Sequence, residues 1–448
     1  MKKIIKYIFL LLALGLVYIA YSSYPKLNII TGFSAKSVAS GVFLAKRTQA
    51  SVENGDNDFS PISMAKNKVN LSEMSVTSTI YGLKKRKAIF IDGLGAILVN
   101  DDFDPKQHFD IPKRNKTPKN LPFPYGSLPQ IENEFVNVNY KALEEAVVNA
   151  FDKGEEKAKR SRSVLVVYKD QIIAEKYADG FDKNTLMLGW SMTKSIAATM
   201  YGILQKKGKI DVNSVTGIPE WQNDDRKKIT YNDLLHMNSG LEWDEDYFSM
   251  SDVSKMLFLE TDMGKKQLYK PLDGVTNETW NYSSGTTNLL AGYLLRQQFK
   301  THQEYLDFWY AELLDKIGMH SAVIEPDLAG NYIGSSYGWA TTRDWAKFGL
   351  LYLHNGNWNG EQIFNPEWAK YVATATNGSN GKYGAHFWLN AGGRYPDVPK
   401  DLYSCNGFQG QWVLIIPSKD LVIVRTGLVE YPKFDLNGFL KGIVESVE

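Results

Sequence analysis

The sequence predicts a mixed α/β protein of the α+β kind, with one antiparallel sheet flanked by helices and an inserted, mostly helical domain. The first observation is a pair of strand-like segments within residues 163–177, separated by a short polar turn in the manner of a β-hairpin. The second is the return of strand-like segments within residues 411–426. The third is the helical spacing of apolar residues from about 208 to 376. Strands from the two sides of this helical region are therefore expected to share one sheet.

The first 24 residues have the pattern of an export signal. Lys2, Lys3 and Lys6 precede an apolar run from residue 7 to residue 21. We therefore expect the chain to be exported, to the periplasm or another extracytoplasmic compartment. Residues 20–22 match a small-x-small cleavage site only in part, so two alternatives stay open. Residues 1–24 are removed as a signal peptide, or residues 4–21 tether the protein to the membrane.

Residues 25–104 form a predicted N-terminal extension. Its β-rich segments at 69–81 and 88–99 are typical of strands. Residues 51–58 are polar and are predicted to be a loop. The basic cluster at 84–87 is typical of a solvated turn.

A linker and the main domain follow the extension. Six of the sixteen prolines fall between residues 105 and 129, a density that opposes regular structure, so residues 105–130 are a predicted linker. Residues 131–448 then form the main domain, whose helical insertion spans about 208–376. Threonines are placed to cap four of its predicted helices, at Thr230, Thr286, Thr301 and Thr342.

Composition excludes several classes of function. Lys and Arg number 51 against 50 Asp and Glu, so no electrostatic argument favours nucleic acid as a partner. Cys405 is the only cysteine, which excludes an internal disulfide and a cysteine-based metal cluster. The six histidines show no close helical pair of the kind that binds zinc. We expect no metal and no cofactor, a small-molecule substrate as partner, and membrane contact through the N-terminal segment alone.

Ser191 and Lys194 carry the strongest chemical signal. Three residues apart on a helix, their side chains lie on one face, so a hydroxyl and an amine can share a proton. The Ser-x-x-Lys spacing occurs four times in the chain, but only this copy precedes an apolar helical segment, residues 196–204, that would bury the pair. Burial lowers the pKa of a lysine, so that the neutral amine can accept a proton. The pair is therefore predicted to be a nucleophile beside its base.

At these residues the chain resembles the penicillin-recognising serine hydrolases. It is most similar to the class C β-lactamase-like branch, which includes carboxylesterases and 6-aminohexanoate-dimer hydrolase. The resemblance runs from about residue 163 to the C-terminus and includes residues 234–241, Leu-Leu-His-Met-Asn-Ser-Gly-Leu, and residues 339–351, which begin Trp-Ala-Thr-Thr-Arg-Asp-Trp. It implies a β-lactamase/transpeptidase-like fold and acyl transfer through a serine.

The family's second motif maps to Tyr282-Ser283-Ser284. The resemblance implies that Tyr282 is the second proton carrier, acting as base or as acid to the leaving group. Ser284 stands where the family usually has asparagine, at the edge of the substrate site. This departure points away from recognition of β-lactam side chains. Tyr282 as a plain aromatic wall is the alternative reading.

The third motif maps to Cys405-Asn406-Gly407. By resemblance, Gly407 lets the strand approach the substrate, and the next amide, Phe408 N–H, pairs with Ser191 N–H as the oxyanion hole. Cys405 stands where lysine or histidine is common, so the cation that binds a β-lactam carboxylate is missing. A packed core thiol is the alternative for this cysteine.

An acidic and aromatic stretch follows at residues 242–247. The resemblance implies that such a stretch borders the substrate, so we expect Tyr247 to line the pocket and Glu245 and Asp246 to attract an amine-bearing substrate. A solvated acidic loop is an equal alternative.

The sequence leaves two alternative functions to consider. Residues 334–338 match the Gly-x-Ser-x-Gly pattern around Ser336, but that elbow needs a hydrophobic strand before it and a helix directly after it. A penicillin-binding sensor, acylated at Ser191 without turnover, is a rival of another class. The sequence favours an exported serine hydrolase that cleaves an ester or linear amide and for which β-lactams are poor substrates.

Overall fold

The structure is a computed structural model, and it describes residues 7–8, 15, 24–154, 158–429 and 432–447. Most of the predicted export segment, and most of the tether at 4–21, therefore lies outside the described residues. The helices of the described part are α1 (Lys26–Ala39), α2 (Gln49–Glu53), α3 (Tyr140–Asn149), α4 (Thr193–Lys206), α5 (Tyr231–Leu235), α6 (Asp252–Leu259), α7 (Ser284–Asn288), α8 (His302–Trp309), α9 (Thr342–Leu353), α10 (Pro366–Val372) and α11 (Leu436–Glu445).

The described residues also form fifteen strands. They are β1 (Lys66–Asn70), β2 (Ser75–Ile80), β3 (Leu83–Ile91), β4 (Gly95–Val99), β5 (Ser161–Tyr168), β6 (Gln171–Tyr177), β7 (Leu186–Leu188), β8 (Val323–Ile324), β9 (Gly338–Thr341), β10 (Asn357–Trp358), β11 (Glu361–Gln362), β12 (Trp388–Leu389), β13 (Tyr403–Gly407), β14 (Gln411–Ile416) and β15 (Leu421–Gly427).

The chain divides into two compact units. The first comprises Met1–Asp92, Ala96–Gln107 and Asp246–Thr261. The second comprises Gly93–Gly95, His108–Glu245 and Asp262–Glu448. The sequence placed residues 246–261 inside the helical insertion, whereas the structure groups them with the N-terminal extension.

The first unit is built on helix α1 and the four-stranded sheet β1-β2-β3-β4. Small and apolar side chains of the helix, including Ala35 and Val38, form a core with Val76 and Ala88 of the sheet. Helix α6 packs in the same unit, where the Phe258 and Phe33 ring centroids lie 5.4 Å apart. The unit thus has a hydrophobic core of its own.

Helix α1 was not predicted, because its buried face carries polar side chains that interrupt the apolar spacing. Thr31, Ser34 and Lys36 are all buried. Lys36 Nζ donates to the Ala96 carbonyl oxygen at 2.6 Å, which satisfies an amine that burial would otherwise penalise. The stretch Lys26–Leu44 is also long and apolar enough to cross a membrane, but 67% of its most apolar window is buried within the protein. A core helix and a signal sequence share these properties, so this helix is weak support for export.

Two smaller predictions in the extension are wrong, the first of them only in part. The predicted loop at 51–58 holds for residues 54–58 but not for residues 51–53, which belong to α2, whose preceding Thr48 accepts a hydrogen bond from the Ser51 amide. The basic cluster 84–87 lies inside β3 and not in a turn, because its backbone pairs with β2. Lys85 is exposed, whereas Arg86 is partly buried and donates to the Phe258 carbonyl oxygen at 2.7 Å.

The second unit confirms the predicted fold class. Its main sheet has six antiparallel strands in the order β12-β13-β14-β15-β5-β6, so strands from the two ends of the domain meet where β15 pairs with β5. The predicted hairpin is β5 and β6. Helices α3 and α11 share a core with one face of the sheet, and α4 and α9 with the other. Burial on both faces explains the continuous apolar runs at 412–416 in β14 and at 421–424 in β15.

Helix caps in the insertion match the predicted threonines in two of four cases. Thr230 and Thr301 form complete capping boxes at α5 and α8. The prediction is wrong by one residue at α9, which Thr341 caps. It is also wrong at α7, where Ser283 is the cap and Thr286 lies within the helix.

The proline-rich segment has no α-helix or extended strand between residues 108 and 139, all of which are described. It is nevertheless fixed to the second unit. Arg114 forms an ion pair with Asp315 at 2.7 Å, and Tyr125 Oη donates to Asp170 at 2.9 Å.

Candidate active site

Ser191 lies in a single 3₁₀ turn, Trp190–Met192, directly before α4. Trp190 has φ 47°, a left-handed conformation that is rare for a bulky residue and that occurs most often at functional sites. The turn is held by Thr193, whose Oγ1 donates to the Trp190 carbonyl oxygen at 2.7 Å and accepts from Gly338 N–H at 2.8 Å. The Ser191 hydroxyl is thus presented by a tightly fixed turn, two residues before the first residue of α4.

The structure brings Lys194 to Ser191. Lys194 Nζ lies 3.0 Å from Ser191 Oγ, 2.9 Å from Ser284 Oγ and 2.9 Å from the Ser335 carbonyl oxygen. The lysine is 1% exposed. A buried amine with three polar partners is held in one place and satisfied there.

Burial changes the acidity of this amine. Removal of water lowers the pKa of Lys194 from 10.5 to about 8, because the charged form loses its hydration. The carboxylate of Glu245 acts in the opposite direction and raises the pKa in part. The neutral amine is therefore well populated near pH 8, as a general base requires.

Tyr282 forms one wall of the site. Lys194 Nζ lies 5.0 Å from the centroid of its ring. The ring packs against Trp388 at 5.2 Å and against Tyr383 at 5.6 Å, measured between centroids. An aromatic face this close stabilises an ammonium group that forms on Lys194.

Glu245 lies in the site, where it makes a contact that the sequence did not predict. We expected it to attract a substrate amine, whereas the structure binds it to Ser284, the first residue of α7. Its carboxylate accepts from the Ser284 amide at 2.8 Å, from the Ser284 hydroxyl, and from the indole N–H of Trp243. The two residues are 39 positions apart, so no local pattern could have indicated this contact.

The third motif lies on β13, beside the nucleophile turn. A Cβ added to Gly407 would lie 2.1 Å from the carbonyl oxygen of Gly189, so only glycine permits this close approach. The next residue, Phe408, packs its ring edge-on against Trp190 at 5.7 Å between centroids. Gly407 therefore sets the distance between β13 and the turn that carries Ser191.

Cys405 belongs to the hydrophobic core. It is 1% exposed, and burial raises the pKa of its thiol to about 12. At the position where the family often has a cation, this chain thus has a buried neutral group.

The rival serine, Ser336, does not meet the requirements of a nucleophile elbow. It is followed by strand β9 and not directly by a helix, and its Oγ lies 2.9 Å from Ser335 Oγ. What this segment contributes is the Ser335 carbonyl oxygen that contacts Lys194.

Tyr247 belongs to the first unit, where it is 40% exposed, and its contact with substrate stays a prediction. Within the described residues, no cluster of three or more His, Cys, Asp or Glu side chains is placed to hold a metal ion.

A comparison with known proteins shows to which family this chain belongs. Residues 146–433, well over half of the chain, match the family described as Beta-lactamase. The protein belongs to the beta-lactamase family. A 6-aminohexanoate-dimer hydrolase of Paenarthrobacter ureafaciens is 25% identical over 311 residues, which cover 63% of this chain and 76% of that protein. The predicted resemblance is therefore confirmed.

Solved structures show the fold of this beta-lactamase family member. A family VIII carboxylesterase superposes with a TM-score of 0.55 at 16% identity, covering 71% of this chain and 99% of that one. A class C β-lactamase mutant superposes with a TM-score of 0.50 at 14% identity, covering 70% and 99%. The β-lactamase/transpeptidase-like fold is thus confirmed.

Replacing Gly407 with alanine tests the close approach of β13. The added methyl would displace the strand from Gly189, and overpacking of this kind costs about 1–3 kcal/mol. We expect a lower melting temperature, and a lower kcat because the strand that carries Phe408, the expected oxyanion donor, would move away from the nucleophile turn. Unchanged melting and unchanged ester hydrolysis would contradict this geometry.

The acidity of Lys194 predicts the pH dependence of hydrolysis. Protonated Lys194 cannot accept a proton from Ser191, so kcat/KM should rise with pH through about 8. Burial keeps the pKa of His386 at about 3 and that of His236 at about 4, so neither histidine should titrate in this range. A rate profile that is already flat above pH 6 would contradict the assignment of Lys194 as base.

Proposed function

We propose that this member of the family is an exported serine hydrolase that cleaves an ester or a linear amide through an acyl-enzyme on Ser191. One observation carries the proposal: Lys194 Nζ lies 3.0 Å from Ser191 Oγ in a buried setting that lowers the pKa of the amine to about 8. The relatives support the bond types, since one is described as a 6-aminohexanoate-dimer hydrolase and another as a carboxylesterase.

Acylation begins at the Ser191 hydroxyl. Its proton passes to Lys194 Nζ while Oγ forms a bond to the substrate carbonyl carbon, and the carbonyl π electrons move onto its oxygen. The resulting ammonium lies over the Tyr282 ring. The backbone N–H groups of Ser191 and Phe408 are the proposed donors to the oxyanion.

The intermediate then expels its leaving group. The bond from the carbonyl carbon to the alcohol or amine breaks, and the departing atom receives a proton from Lys194, directly or through Tyr282. A water molecule repeats the sequence on the acyl-enzyme and restores Ser191.

The residues in and next to the first and third motifs indicate the class of substrate. Cys405 is neutral and buried and supplies no cation for a β-lactam carboxylate. Trp190 and Phe408 present aromatic surface next to the nucleophile. The substrate is therefore a small ester or amide, with Tyr247, Ser284 and Gly407 as the proposed contacts. Export rests on the apolar pattern of residues 1–24, and we propose no nucleic-acid partner and no cofactor.

A substrate panel tests this function. Wild-type protein should hydrolyse p-nitrophenyl esters or short amide oligomers faster than nitrocefin. Ser191→Ala should lower the rate by more than about 10³-fold, because Ser284, the other hydroxyl next to Lys194, donates its hydrogen to Glu245. Ser336→Ala is the matched control and should retain activity, since its hydroxyl does not contact Lys194. Full activity in Ser191→Ala would refute the proposal, and stable labelling of Ser191 by a fluorescent β-lactam without turnover would favour the sensor.

A further inference from the structure

The Glu245 carboxylate lies behind the Ser191–Lys194 pair, joined to it through Ser284. We propose that Glu245 is a positioning residue that fixes the direction of the hydrogen bonds around Lys194, so that the lysine accepts from Ser191 alone. This inference rests on the proposed function, because it concerns the same proton transfer.

The direction of each bond follows from counting hydrogens. An ionised carboxylate can only accept, so the hydrogen between Ser284 and Glu245 belongs to the Ser284 hydroxyl. A serine hydroxyl has one hydrogen, and once it is given to Glu245 the Ser284 oxygen can only accept from Lys194. The Lys194-to-Ser284 bond of 2.9 Å therefore uses an N–H of the lysine.

The second N–H of Lys194 is assigned in the same way. The Ser335 carbonyl oxygen, at 2.9 Å, has no hydrogen and accepts. A neutral amine has two hydrogens and one lone pair. With both hydrogens engaged, the lone pair faces the remaining partner, the Ser191 hydroxyl at 3.0 Å. This is the arrangement that proton transfer from Ser191 requires.

Without the carboxylate the arrangement would not be unique. The Ser284 hydroxyl could then donate to the lone pair of Lys194 and compete with Ser191. Glu245 also accepts the Ser284 amide at 2.8 Å, so both groups of that serine are fixed together. The carboxylate is itself held by the indole N–H of Trp243, whose carbonyl oxygen accepts from Asn281 Nδ2 at 3.0 Å.

The charge of Glu245 supplies a signature that a purely structural residue would lack. It raises the pKa of Lys194 against the effect of burial, so its removal should lower that pKa. The described titratable groups near the pair include His386, Tyr282, Tyr383 and Cys405, whose pKa burial raises to about 12. Burial keeps the pKa of His386 at about 3 and raises that of Tyr383 well above its usual value, so both are neutral at working pH.

The test is the pH profile of ester hydrolysis by Glu245→Gln. We expect kcat on the plateau to fall by about 10-fold or more, because base catalysis of this kind contributes roughly 10²–10⁴-fold. We also expect the acid limb of kcat/KM to move to lower pH. Glu242→Gln is the matched control, since it removes the same charge from the same stretch at a carboxylate paired with Lys270 at 3.0 Å. It should change neither quantity.

Two further variants distinguish a positioning role of Glu245 from an effect of the substitution on folding. Glu245→Asp keeps the charge but shortens the side chain, so its acid limb should stay near that of wild type while its kcat lies between those of wild type and Glu245→Gln. Glu245→Gln combined with Ser284→Ala should be no slower than the slower single variant, because both act through one hydroxyl.

Several outcomes would overturn the inference. An unmoved acid limb in Glu245→Gln, a moved limb in Glu245→Asp, or multiplying losses in the double variant would each do so. All these results presuppose that Ser191→Ala is inactive in the same assay. If Ser191→Ala is active, the proposed function itself fails, which is a separate result.

Discussion

The burial of Lys194 is the constraint on which the site depends. The fall in its pKa from 10.5 to about 8 corresponds to about 3 kcal/mol in favour of the neutral amine. A protein normally avoids such burial, because a charged amine loses its hydration. Here the result is a base that is substantially neutral near pH 8 and adjacent to a serine hydroxyl. Three polar partners stabilise it without an adjacent carboxylate in direct contact.

Those partners come from distant parts of the chain, so the site exists only when the domain is folded. Ser284 is 90 positions from Lys194, and Ser335 is 141 positions from it. The six-stranded sheet holds β13 next to the nucleophile turn, and Gly407 allows their contact. Arg425 on β15 is fully buried and donates to the Gly410 carbonyl oxygen at 2.7 Å, which fixes the turn that follows Phe408. The core of the sheet and the geometry of the proposed oxyanion hole are thus parts of one packing arrangement.

Features that depend on neighbouring residues could be predicted from the sequence. The Ser191–Lys194 spacing is helical, the β5–β6 hairpin has a two-residue turn, and Thr230 and Thr301 precede an acidic residue at the position a capping box requires. The fold class followed from these local patterns and from the apolar runs of the C-terminal strands.

Features that depend on distant partners could not be predicted. Glu245 belongs to an acidic stretch that is typical of a solvated loop, and only its contact with Ser284 shows its place in the site. Helix α1 was missed because the polar side chains on its buried face are satisfied by groups far along the chain, as Lys36 is by Ala96. The basic residues of β3 show the same limitation, since Arg86 donates to the carbonyl oxygen of Phe258, 172 positions away, which a local basic pattern does not indicate.

The central claim is that burial lowers the pKa of Lys194 to about 8 in the folded protein, so that the neutral amine is available as a base. The direct measurement is a titration of the wild-type protein labelled with ¹³C at lysine Cε, with the Lys194 resonance assigned by its loss in Lys194→Arg. The account predicts that this resonance titrates with a midpoint near pH 8, well below the other lysines. A midpoint above 10, with the other lysines, would contradict it.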